Sequence, residues 1–303
     1  MNGKKRVGYI GVGLMGHGAA KNILEKGKYP LTIMGHRNRE PVDDLVKRGA
    51  VEVTTPAAVA GASDIVFLSV PSSVEVEQLV YDPNGILAGG HEGLILVDQT
   101  TGDPSVTRKI AADLAQRGMA MVDAPHGRSP AQAEEGRLAA FLGGDPDVIS
   151  EITPVVECFA DTIITTGPVG SALTAKLINN LITVGNAALL AEALATAAAL
   201  DVDMPTLYKI MSSTAANSNM LHLMMPWVLE GDDSKLKGPI RLGAKDLSYY
   251  TKLAETAPSV AIAAQAVSQV MQLAVMRGYK DRYLPVLPGV LAELGGTEIQ
   301  PLE

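Results

Sequence analysis

Short, wholly apolar runs alternate with amphipathic stretches through the first half of the chain. Val7-Gly8-Tyr9-Ile10, Leu31-Thr32-Ile33-Met34, Ile65 to Val70, Leu94 to Val97 and Met119 to Val122 read as strands. Pro41 to Arg48 and Pro104 to Gln116 are among the helical patterns between them. Alternation of this kind predicts parallel βαβ units whose strands are buried on both faces. Ala139 to Leu142, ending at Gly143-Gly144-Asp145, and Thr162 to Ile164 add two further strands. After Gly167-Pro168-Val169-Gly170 the chain turns helical, rich in Ala, Leu and Met, with no strand pattern. Leu173 to Ala199 is long enough for one helix of about 40 Å at 1.5 Å per residue. The predicted organisation is an α/β domain over residues 1–167 and an all-α domain over 168–303, joined by that long helix, with a frayed tail from Gly295 to Glu303.

Composition narrows the function classes. The net charge is -8 and the isoelectric point about 5.2, whereas nucleic-acid binding needs a basic footprint. A single cysteine, Cys158, removes any disulfide framework or cysteine-rich zinc site and points to a reducing, cytoplasmic compartment. Lys4, Lys5 and Arg6 lead into a glycine-rich segment rather than an apolar core, so no secretory signal is read there. Leu181 to Leu200 approaches the length of a membrane span. Much of it is alanine, however, Glu192 lies within it and no Lys/Arg cluster flanks it, so it reads as a buried helix with no membrane partner. The histidines at 17, 36, 91, 126 and 222 show no metal-ligand spacing, and no metal is expected. The methionines near Met211, Met220, Met224 and Met225 read as helix core.

Gly11-Val12-Gly13-Leu14-Met15-Gly16 is G-x-G-x-x-G placed between the first strand and a helical run. The glycines allow a tight turn and close approach to a pyrophosphate, and the helix start offers free N–H groups. A Rossmann dinucleotide-binding domain follows from that context. The second strand ends Met34-Gly35-His36-Arg37-Asn38-Arg39, without the acid that would accept from the ribose hydroxyls of NAD. Arg37 with Asn38, beside His36, suits a 2′-phosphate, so NADPH is expected in preference to NADH; the plain alternative is that Arg37 and Arg39 form a solvated face.

The ordered motifs resemble the β-hydroxyacid dehydrogenase family, which includes 3-hydroxyisobutyrate dehydrogenase. After the glycine loop come Val70-Pro71-Ser72, Asp98-Gln99-Thr100-Thr101, Asp123-Ala124-Pro125, the stretch from Gly170 to Asn180, and Lys245-Asp246-Leu247. The resemblance implies that Val70, Pro71, Thr101 and Lys245 contact the cofactor, that Thr101 also meets substrate, and that Lys176 is the general acid and base, helped by Asn180. The residues agree, since positions four apart share a helix face and an ammonium there can protonate a carbonyl oxygen as hydride arrives. A lysine and an amide on an ordinary helix surface are the bland alternative.

Where most of the family carries a serine and two glycines, this chain reads His126-Gly127-Arg128-Ser129. That pattern resembles the 3-sulfolactaldehyde reductase branch, and implies that Gly127, Arg128 and Ser129 hold a sulfonate. An arginine fork suits an oxyanion, unless Arg128 turns to solvent or pairs with Glu134 or Glu135. His36 stands where those reductases carry an acid, and His126 where they carry valine. The expected activity is NADPH-dependent reduction of a small aldehyde bearing an anionic group, at the carboxyl ends of the strands. The alternatives are a carboxylate semialdehyde reductase or 3-hydroxyacid dehydrogenase, and, from another class, a non-catalytic NADP-binding module. The resemblance also implies a homodimer or homotetramer.

Overall fold

The computed structural model describes residues 3–299. Among them, nine strands form one sheet: β1 (Val7–Ile10), β2 (Leu31–Met34), β3 (Val51–Val53), β4 (Ile65–Leu68), β5 (Ile95–Asp98), β6 (Ala120–Asp123), β7 (His126–Gly127), β8 (Leu138–Gly143) and β9 (Ala160–Gly167). Their order is β3-β2-β1-β4-β5-β6-β8-β7, with β9 on β8. The first six strands are parallel, as the apolar runs predict. β8 then runs antiparallel to both β6 and β7, and β9 parallel to β8.

β1, β4 and β5 are buried along their whole length because helices cover both faces. Alternate side chains feed two cores. Tyr9 and Phe67 stack with ring centroids 5.8 Å apart on one face, where Phe159 meets Phe67 edge-on. Ile10, Leu68 and Leu96 enter the other core. β3 and β7 escape an apolar-run reading: β3 is Val-Glu-Val at the sheet edge, and β7 is two residues defined by pairing with β8.

The chain divides into two compact units, Met1–Lys176 and Leu177–Glu303. The cut falls inside the helix Ser171–Ala199, which at 29 residues is roughly 43 Å long. Among the described residues this helix is long and apolar enough to cross a membrane by length and composition, with 44% of its most apolar window buried. The second unit packs Met220, Leu221, Met224 and Met225 against Leu247 and Met271. Of the tail expected to fray, residues 300–303 lie outside the described residues. Thr297 is held by Ala292, and Ile299 packs on the second core, so that part is anchored.

Candidate active site

Parallel register brings the carboxyl ends of five strands to one edge: Ile10 stands beside Met34 and Leu68, Leu68 beside Asp98, and Asp98 beside Asp123. β1 lies between β2 and β4, so the strand order reverses at the turn that leaves β1, the usual ligand crevice of an open α/β sheet. Gly11 has φ +96°, and a Cβ there would lie 2.1 Å from the Ser69 carbonyl oxygen. A Cβ on Gly16 would lie 2.1 Å from the Gly11 carbonyl oxygen, whereas one on Gly13 would meet nothing within 4 Å. The turn is therefore closed below and open above. The helix Gly16–Glu25 starts at Met15 with no side-chain cap, which leaves N–H groups at its start to an anion, although the His17 N–H already donates to the Gly13 carbonyl at 2.9 Å. Leu14, expected in this loop, is two-thirds exposed. These features fit a pyrophosphate. Beneath the loop, Tyr9 donates to the Gln99 side chain; the Val70 N–H donates to Thr100 Oγ1 at 3.2 Å and so ties β4 to β5 beside Pro71 and Thr101.

At the end of β2, His36, Arg37 and Asn38 are exposed. Asn38 accepts from the Glu40 N–H, while Arg37 holds no ion pair among the described residues. Arg39 is not part of a free basic face. Its fork donates to both oxygens of Glu52 at 2.6 and 2.8 Å and to Asp43 at 2.9 Å.

The buried Asp123, at the end of β6, accepts from the Gly170 N–H at 2.7 Å and the Leu173 N–H at 2.8 Å. It thereby seats the start of the helix Ser171–Ala199, and Lys176 follows Leu173 within one turn. Burial pushes the Asp123 carboxyl up despite those donors. Burial, seconded by the charge of Lys176, pulls His126 down to about 4 and keeps its imidazole neutral. The sequence sets Asp123 within a family motif and His126 beside the substrate stretch, but gives neither a catalytic role.

One turn beyond Lys176, Asn180 Nδ2 donates to Asp246 Oδ2 at 2.7 Å. Lys245 Nζ lies 3.2 Å from Asp246 Oδ1 and 5.6 Å from the Tyr249 ring centroid. Asn180, Asp246 and Lys245 thus form one polar cluster in the second unit. Asp246 had passed unnoticed inside the quoted Lys245-Asp246-Leu247.

Arg128 and Ser129 both have partners within the first unit. Arg128, at φ +78°, donates to Asp161 Oδ1 at 2.6 Å, Thr162 Oγ1 at 2.9 Å and the Arg137 carbonyl. Pairing of Gly127 with Ala139, and of Ala139 with Thr162, delivers the arginine to Asp161 rather than to Glu134 or Glu135. Ser129 caps the helix Pro130–Glu135 through a reciprocal box with Gln132. That helix is fastened to Gly16–Glu25. Asn22 Nδ2 donates to the carbonyls of Gly18, Ala133 and Glu134, His17 and Lys21 hold the Glu134 carboxylate, and a Cβ on Gly18 would lie 2.5 Å from the Ala133 carbonyl carbon. A cavity of about 800 Å³ lined by Gly144, Asp145, Ile149, Thr165 and Pro168 contains none of these groups. No set of three metal-ligand side chains comes together among the described residues.

Residues 6–167 match the NAD binding domain of 6-phosphogluconate dehydrogenase, and residues 170–283 match the NAD-binding domain of NADP-dependent 3-hydroxyisobutyrate dehydrogenase. The chain belongs to the β-hydroxyacid dehydrogenase family, of the 3-hydroxyisobutyrate dehydrogenase type. It is an NAD(P)-dependent oxidoreductase. Among its relatives is the 3-sulfolactaldehyde reductase of Escherichia coli, 32% identical over 82% of this chain and 83% of that one. The NAD-dependent L-serine dehydrogenase of Pseudomonas aeruginosa is 30% identical over 93% and 96%. A 3-hydroxyisobutyrate dehydrogenase from Salmonella typhimurium shares the fold, with TM-score 0.83 at 23% identity over 94% of this chain and 99% of that one.

Proposed function

We propose that the chain is an NADPH-preferring, reversible reductase of a small aldehyde bearing an anionic group, of the 3-sulfolactaldehyde kind. The observation that carries the chemistry is the seating of Lys176 within a turn of the Asp123-held helix start, beside a neutral His126. When bound, the nicotinamide cofactor supplies or accepts the hydride at the carbonyl carbon. Lys176 gives its proton to the carbonyl oxygen in reduction and takes it back in oxidation. A neutral His126 places no second positive charge beside that ammonium. Asn180 spends one amide hydrogen on Asp246 and keeps a second for the substrate oxygen. The glycine-loop N–H groups hold the pyrophosphate, Arg37 and Asn38 the 2′-phosphate, and Val70, Pro71 and Thr101 the nicotinamide end.

The sulfonate reading rests on Gly127-Arg128-Ser129 and on the likeness to the 3-sulfolactaldehyde reductases. On that reading Arg128 exchanges Asp161 for the substrate anion. Its grip on a carboxylate favours a second reading, a carboxylate semialdehyde substrate. Exposed Ile178, Ile182 and Leu189 along the long helix support self-association as a homodimer or homotetramer, and the single cysteine supports a cytoplasmic location.

The test is NADPH oxidation with 3-sulfolactaldehyde beside tartronate semialdehyde. A tenfold or greater kcat/KM advantage for the sulfonate, about 1.4 kcal/mol, supports the first reading; the opposite ratio assigns Arg128 to a carboxylate. Lys176→Ala should lower kcat by about 10² to 10⁴ while the Kd for NADPH holds. Undiminished turnover would remove Lys176 from the chemistry.

A further inference from the structure

The end of β2 lacks an acidic side chain in sequence, yet a carboxylate stands there. In the β2–β3 register Glu52 is the partner of Ile33. Its side chain extends forward along the strands to Gly35, where an added Cβ would lie 2.0 Å from Glu52 Oε1 and 2.6 Å from an Arg39 guanidinium nitrogen. The missing side chain at position 35 is what leaves room for that carboxylate. Arg39 fixes it there with two parallel hydrogen bonds, at 2.6 and 2.8 Å, and holds the Glu52 carboxyl below its ordinary range. Asp43 braces the other side of the fork. Each Glu52 oxygen gives one lone pair to Arg39 and retains another. Glu52 is 30% exposed at the side chain, so a ligand at the strand end can reach it.

We propose that Glu52 is the cofactor-selecting carboxylate of this chain, delivered from β3 through the gap at Gly35 rather than from β2 itself. It accepts from a ribose 2′-hydroxyl and opposes a 2′-phosphate, while Arg37 attracts the phosphate. Arg39 moderates the opposition by pairing with Glu52, so both dinucleotides are admitted and the margin between them is set by Glu52 against Arg37. The inference rests on the NADPH-preferring reading above in naming Arg37 as the opposing group, but Glu52 has its own test.

The experiment is calorimetric titration of the full chain with NADH and with NADPH, without substrate, so that binding is read apart from turnover. Glu52→Gln should weaken NADH and leave or tighten NADPH, moving the ratio of dissociation constants on the order of tenfold toward NADPH. Gly35→Ala should move the ratio in the same direction, because its Cβ takes the place of the carboxylate, a flexible end that can swing aside. Equal changes in both constants, or none, in both variants would overturn the proposal. Arg37→Asp separates the two claims. If it leaves the ratio unchanged while Glu52→Gln shifts it, the Arg37 reading fails and Glu52 stands. If only Arg37→Asp shifts the ratio, Glu52 is a structural partner of Arg39.

Discussion

Asp123→Ala strikes the joint between the sheet and the helix Ser171–Ala199. The carboxylate is fully buried and satisfies two backbone donors, Gly170 N–H at 2.7 Å and Leu173 N–H at 2.8 Å. Alanine strands both, and a buried donor left without a partner costs about 1–3 kcal/mol. Relief of a buried carboxyl whose ionisation is already disfavoured offsets part of that sum, leaving a net loss of about 3 kcal/mol. Urea unfolding at neutral pH, followed by fluorescence and circular dichroism, measures it as a lowered midpoint at unchanged slope. On the role proposed for Lys176, three residues beyond Leu173, kcat should fall as well, while dinucleotide binding persists. Asp123→Asn keeps one acceptor and should lose less. The pH dependence has a definite sign. The folded carboxyl holds its proton more tightly than the unfolded one, so its stabilising share is complete below about 3.9 and declines as pH rises through the raised folded value. That decline should vanish in Asp123→Asn. A destabilisation below about 1 kcal/mol with kcat intact would show that the helix start is held by something else.

His126 titrates with the opposite sense. Its folded pKa is pulled to about 4, so its share of stability is complete above about 6.5 and is lost as pH falls toward 4, on the order of 3 kcal/mol in all. His126→Phe should flatten the urea midpoint over that window, and an identical slope in both proteins would refute a neutral imidazole at this half-buried position. Asp161→Asn should release Arg128 and lower KM for an anionic aldehyde several-fold at constant kcat. An unchanged KM would confine Arg128 to its contacts with Asp161, Thr162 and Arg137.

What could be read directly from the chain was local. An apolar run such as Ile65 to Leu68 announces a strand because its own residues must be buried. The Gly11 to Gly16 turn announces itself because the glycines answer backbone demands within six positions. Strand direction was less legible, since nothing in Leu138 to Gly143 distinguishes antiparallel from parallel pairing. Partnerships between distant segments were not legible either. Asp123 meets Gly170 and Leu173 after 47 and 50 residues, and Arg128 meets Asp161 after 33. Glu52 lies closer in sequence to Arg39 but reaches it only because β3 pairs with β2. Gly35 read as the absence of an acid, and only the fold shows what occupies the space.

The fastening of Gly16–Glu25 to Pro130–Glu135 bears on redesign of the enzyme. With Asn22 donating to three carbonyls and Gly18 pressed on Ala133, the segment from Gly127 to Ser129 is grafted onto the helix that carries the cofactor turn. A transplant of residues 126–136 from a relative with another substrate preference brings a new surface against that helix. Positions 17, 18, 21 and 22 have to travel with it, or the exchange will disturb dinucleotide binding before it alters specificity. Libraries that vary both segments together are the ones suited to moving this scaffold from one acid to the next.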